Sequence, residues 1–142
     1  MAVLKRQTYK KIEYYFYNYF SLMRDVKEKR EEILSSQGSS KDILKLEANI
    51  SSQKTEITAV KAIKLCELQE KEKWLCVIES VLKHYKNTEK LKLIEKKYFE
   101  ELSEVQICTE LNIERRTYYV WRNEIVLFAA IIAAQEGLLK AV

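Results

Sequence analysis

The chain has 142 residues, enough for one domain or for one domain with a helical extension. It contains no proline, only two glycines (Gly38 and Gly137), and no run of alternating polar and apolar residues, so a fold of strands and tight turns is excluded. Hydrophobic residues make up 47%, which supplies a core without metal or disulfide staples, and the net charge of +4 is modest.

An all-α protein is therefore expected, because Leu, Lys and Glu lose little rotamer freedom in helices. The three cysteines, Cys66, Cys76 and Cys108, show no C-x-x-C spacing. Each falls in an apolar-periodic segment where cysteine acts as a small hydrophobe, and this points to a reducing, cytoplasmic setting. The opening MAVLKRQTYKK has no apolar run of signal-peptide length. The longest apolar run, Ile125 to Ala134, is ten residues, against about 20 for a bilayer. No membrane partner is expected.

The first predicted helix runs from about Thr8 to Leu34. Ile12, Phe16, Tyr19, Met23, Val26 and Ile33 recur on a seven-residue period, with Arg30 interrupting the stripe. Tyr14, Tyr15, Tyr17 and Phe20 widen its aromatic face, which suits core or interface better than base stacking. Ser35 to Ser40 forms a polar break, followed by a short amphipathic piece with Ile43, Leu44 and Leu46 and a weaker break at Ser51 to Gln53.

From about Thr55 a long helix is predicted to reach Tyr85 or Lys86. Leu68, Leu75, Ile78, Leu82 and Tyr85 mark its stripe, and Trp74, Val77 and Val81 extend it. Such a helix cannot bury its stripe alone, and the first helix is the natural antiparallel partner. Residues 1–87 thus read as a helical hairpin and oligomerisation region. Asn87-Thr88-Glu89 marks a helix restart and the boundary of a second domain, residues 88–142. Its first helix carries Leu91, Leu93, Ile94, Tyr98 and Phe99.

The segment LSEVQICTELNIERRTYYVWRN, residues 102–123, carries the functional signal. Ser103 can cap a short helix with Val105, Ile107, Cys108 and Leu111 as its apolar positions. Leu111-Asn112-Ile113 interrupts it, and a second helix starts near Glu114. Two short helices joined by a three- or four-residue turn make a helix-turn-helix. Cys108 is small where the helices touch, and Asn112 tolerates a left-handed backbone. Ile113, Tyr118 and Trp121 point inward at helical spacing. Arg115, Arg116, Tyr119, Arg122 and Asn123 are left outward, and Arg and Asn are the residues that read guanine and adenine edges.

The stretch KLIEKKYFEELSEVQICTELNIERRTYYVWRNEI resembles the region-four helix-turn-helix of sigma factors. With TEITAVKAIKLCELQEKEKWLCVIESVL ahead of it, the chain resembles small phage transcriptional activators of the RinA and ArpU type over about residues 55–127. The resemblance implies a sequence-specific regulator that switches on late packaging and morphogenesis genes in a bacterial host cell. It implies double-stranded DNA and host RNA polymerase as partners, with Arg115, Arg116, Thr117, Tyr119 and Arg122 at the DNA. Glu114 stands where the family usually has a Ser cap, and Asn112 replaces the usual Gly.

Charge distribution bears on that expectation. Residues 1–87 hold 17 Lys and Arg against 12 Asp and Glu, while residues 88–142 hold 8 against 9. Phosphate binding is driven by local cations, so affinity must come from placed arginines, the basic N-terminal half, or a dimer. Ile125, Val126, Leu127, Phe128, Ile131 and Ile132 surround their helix, so an oligomeric contact or packing onto the N-terminal helices is expected, with a homodimer favoured. Two other readings stay open: a small terminase-like DNA-packaging adaptor, and a helical protein-interaction module without DNA binding. Enzymatic readings have little to rest on. The single histidine, His84, has no metal-ligand spacing around it, neither G-x-x-x-x-G-K-[ST] nor H-E-x-x-H occurs, and no catalytic residue, metal or cofactor is expected.

Overall fold

The computed structural model describes residues 4–37 and 54–139, and every regular element among them is helical. The all-α class is observed. The elements are α1 (Arg6–Tyr17), α2 (Tyr19–Gln37), α3 (Lys54–His84), α4 (Glu89–Ile94), a π-helical stretch (Glu95–Phe99), α5 (Glu104–Leu111) and α6 (Arg115–Gln135). Among the described residues, no helix is long and apolar enough to cross a membrane.

The first predicted helix is two helices. Asn18 interrupts it, with φ −103° and ψ 20°, and both its backbone N–H and its side-chain amide donate to the Tyr14 carbonyl. Tyr19 and Val26 are buried as the period predicts, but Leu22 is buried in place of Met23, which is exposed. The serine-rich break is helical through Gln37. Its remainder lies outside the described residues, as do the Ile43–Leu46 piece and the second break.

Packing divides the chain at Phe20 and Lys73 rather than at residues 87/88. One unit comprises the described residues of Met1–Phe20 and Lys73–Val142. Its core takes Ile12 and Phe16 from α1, Trp74, Ile78 and Val81 from α3, Leu93 and Ile94 from α4, Ile107 from α5, and Ile125 and Val126 from α6. Each such side chain stabilises the fold by roughly 1.5–3 kcal/mol through burial. Ala129, Ala130 and Ala133 are buried on α6, where small side chains permit close helix approach. Asn87 does stop a helix, with φ 64°, and Thr88 is extended ahead of α4. That stop is local. The core runs across it: Phe128 of α6 packs on the rings of both His84 and Tyr85, just before the stop.

The other unit, Ser21–Glu72, buries Leu22, Val26 and Leu68. Arg30 pairs with Glu72 at 2.8 Å and Lys71 with Asp25 at 3.9 Å.

Candidate nucleic-acid interface

α5 and α6 form a helix-turn-helix whose joints are set by single residues. Ser103, extended at φ −70° and ψ 160°, accepts from the Gln106 N–H at 3.3 Å, and the Gln106 side chain accepts from the Ser103 N–H at 3.1 Å. This reciprocal cap satisfies two otherwise free donors and is worth about 1 kcal/mol. Asn112 ends α5 in the left-handed region, at φ 54° and ψ 48°. The next N–H, that of Ile113, reaches back to the Cys108 carbonyl at 3.1 Å. Asn tolerates this backbone better than any β-branched residue would. Glu114 is extended, makes no side-chain cap, and hands the chain to Arg115.

Arg115 and Arg116 therefore occupy the first turn of α6. Cations there oppose the helix dipole. Arg115 is 77% exposed, with its Nε 2.7 Å from Glu104 Oε1. Tyr119, half-buried, donates its hydroxyl to Glu104 Oε2 at 2.6 Å, and the Arg115 guanidinium lies 5.8 Å from the Tyr119 ring centre. Arg116 is exposed and Thr117 half-buried. Asn123 is exposed and accepts from the Tyr9 hydroxyl at 2.9 Å. Val120, 47% exposed, lies between Arg116 and Asn123 at spacings of four and three, so these three share one outward face.

Arg122 belongs to a different environment. Its side chain is 26% exposed and meets Glu13 of α1 through two hydrogen bonds, Nε at 3.2 Å and a terminal nitrogen at 2.8 Å. Glu13 also accepts from Tyr98 at 2.8 Å and lies 3.9 Å from the Lys97 ammonium. Lys97 and Tyr98, neighbours in the π-helical stretch, both reach the same carboxylate. Burial disfavours the Arg122 cation, but Glu13 outweighs it and holds the pKa above its ordinary value. Lys97 also stands above its ordinary value: burial lowers it, but the Tyr17 and Tyr118 hydroxyls together raise it by more. Burial, then Glu13, pushes the Tyr98 phenol well up.

The structure thus gathers Arg115, Arg116, Tyr119 and Asn123 at the start of α6 and turns Arg122 to the interior. Two positions of this region escaped the sequence reading. Val120 was lost because an apolar residue at helical spacing reads as core. Glu13 carried a usable signal: it is the only acidic residue among the first 24, set between Ile12 and Phe16 on a buried stripe.

The chain belongs to the family described as Protein of unknown function (DUF1492), whose model matches residues 56–128 and so spans the whole α5–turn–α6 start. No curated protein and no solved structure matches it.

Proposed function

For this member of the DUF1492 family we propose sequence-specific binding of double-stranded DNA, with the first two turns of α6 in the major groove. One observation carries the reading: a capped helix, a left-handed Asn turn and a second helix present Arg115 and Arg116 to solvent where the helix dipole disfavours them. Arg116, Val120 and Asn123 offer a cation, a methyl-bearing surface and an amide, which are the chemistries that guanine, thymine and adenine edges accept. The first backbone amides of α6 and Thr117 are placed for a phosphate. Through its resemblance to the phage activators, the chain is read as a transcriptional regulator of late packaging and morphogenesis genes, acting with host RNA polymerase in the bacterial cytoplasm.

Affinity is tested by fluorescence anisotropy on duplexes selected from a random pool, at two salt concentrations. The Arg115→Ala, Arg116→Ala double variant is the comparison, with Arg122 kept because it holds the fold. We expect the variant to bind weakly and with a flatter salt dependence. Equal binding by the two proteins sinks the reading and favours the interaction module.

The same reading takes the protein as a homodimer on paired half-sites. Of the six apolar residues that suggested this, Ile125 and Val126 are buried and Phe128 is stacked on His84, whereas Leu127 and Ile131 are exposed. Leu127→Asp with Ile131→Asp is therefore the informative variant, and sedimentation velocity should report a dimer for the parent and a monomer for the variant. A monomeric parent ends the dimer reading.

A further inference from the structure

We infer that Glu104 is a specificity-determining positioning residue, a buttress that holds Arg115 for one guanine; this rests on the DNA-binding reading above. The two oxygens of its carboxylate are divided between two residues of the neighbouring helix: Oε1 faces Arg115 Nε at 2.7 Å and Oε2 accepts from Tyr119 at 2.6 Å. Glu104 itself is 26% exposed, while the arginine it holds is 77% exposed. The carboxylate is anchored at the base of the pair and the guanidinium projects from it.

The chemistry follows from the arginine fork. Arg has five N–H donors, one on Nε and two on each terminal nitrogen. With Nε held 2.7 Å from the Glu104 carboxylate in an ion pair, the terminal nitrogens are the donors offered to a ligand. That end-on pair matches the O6 and N7 acceptors of a guanine edge. The Tyr119 ring beside the guanidinium limits a second direction of movement. A free arginine surrenders rotamer entropy on binding, and one already held gives up less. A bare exposed ion pair adds little to the fold. Stability alone is therefore a weak reason for this three-residue arrangement. A carboxylate so close to the groove also repels phosphate, which weakens binding to all sequences. That repulsion lowers every affinity alike, so the gap between the right site and the wrong one comes from the held guanidinium.

The experiment is selection of duplexes from a random pool by the full-length protein, followed by anisotropy on the chosen site and on each single-base change. Arg115→Ala identifies the base pair that Arg115 reads, with an expected loss of roughly 5- to 150-fold discrimination there. Glu104→Ala should relax the same base pair and no other, while binding to unselected duplex stays equal or rises. Glu104→Gln, which keeps an acceptor, should restore part of the preference. If Glu104→Ala fails to fold by circular dichroism, the Gln variant decides, since partial relaxation at that one position is still expected. Three results overturn the inference while DNA binding stands. They are Arg115→Ala leaving every preference intact, the Glu104 variants changing all sequences equally, and the Glu104 variants leaving the Arg115 position untouched. A parent protein that selects no sequence removes the DNA-binding reading itself.

Discussion

Arg115 and Arg122 lie two turns apart on the same helix, on nearly the same side, and each meets a glutamate from another helix. They nevertheless do different work. Glu104 holds an arginine that remains 77% exposed, whereas Glu13 holds one at 26%, with Tyr98 and Lys97 closing on the same carboxylate. In water, an ion pair gains little because each charge was already well solvated. Out of water, the charges are costly alone and depend on each other. Access to solvent, rather than residue type or spacing, separates an arginine that can meet a ligand from one that joins helices.

The largest expected effect tests that separation directly. Arg122→Ala leaves Glu13 with only the more distant Lys97 as a cationic partner. The pair is part-buried, so the loss should approach but not exceed the roughly 3 kcal/mol that breaking a fully buried pair costs. Arg115→Ala should cost the fold far less, because an exposed ion pair gains little over two solvated charges. Urea denaturation of the full chain measures both, and equal losses would break the comparison.

That contrast also shows what the sequence could and could not disclose. The helix-turn-helix was legible because its joints are local: Ser103 needs only Gln106 three residues on, and Asn112 needs only its own backbone. Arg122 was misplaced outward because its partner lies 109 residues away, on α1. Spacing on one helix cannot show which side a remote helix will cover. The same holds for the π-helical stretch, where Lys97 and Tyr98 converge on a residue of another element.

A second prediction sharpens the exposed side. Arg116 stands outward in the first turn of α6, on the face that Val120 and Asn123 share. Arg116→Ala should weaken duplex binding by roughly 1–3 kcal/mol while leaving the denaturation midpoint unchanged. Anisotropy and denaturation on the same preparation check both halves of that statement. A stability loss without a binding loss would move Arg116 into the class of Arg122.

A smaller effect probes the buried side by one atom. Tyr98 is 1% exposed and donates to Glu13 at 2.8 Å. Tyr98→Phe keeps the ring and deletes the donor, so the loss should be about 1.5 kcal/mol, the range for a hydrogen bond to a charged group. A double-mutant cycle with Arg122→Ala should show coupling, because both deletions act on one carboxylate. Strict additivity would argue that Glu13 does not join them.

The last prediction uses pH, and it separates the two arginine environments through a tyrosine that lies beside only one of them. Tyr9 donates to Asn123, and the Arg122 guanidinium lies 5.1 Å from its ring. Burial raises the Tyr9 phenol from 10.0 to about 12; Arg122 pulls it down and Glu13 pushes it up. Below pH 10 the folded and unfolded chains both keep this proton, so Tyr9 adds no pH dependence. Between pH 10 and about 12 the unfolded chain releases the proton while the folded chain retains it. The folded state then binds more protons, so stability falls as pH rises through that window. Tyr98, Tyr118 and Lys97 are also raised and remain in a Tyr9→Phe variant, so the fall persists in reduced form. Urea midpoints from pH 9 to 12 should decline less steeply in Tyr9→Phe than in the parent, whereas Arg115→Ala should follow the parent's profile. A Tyr9→Phe profile that runs parallel to the parent's would show that this phenol does not titrate with the buried cluster.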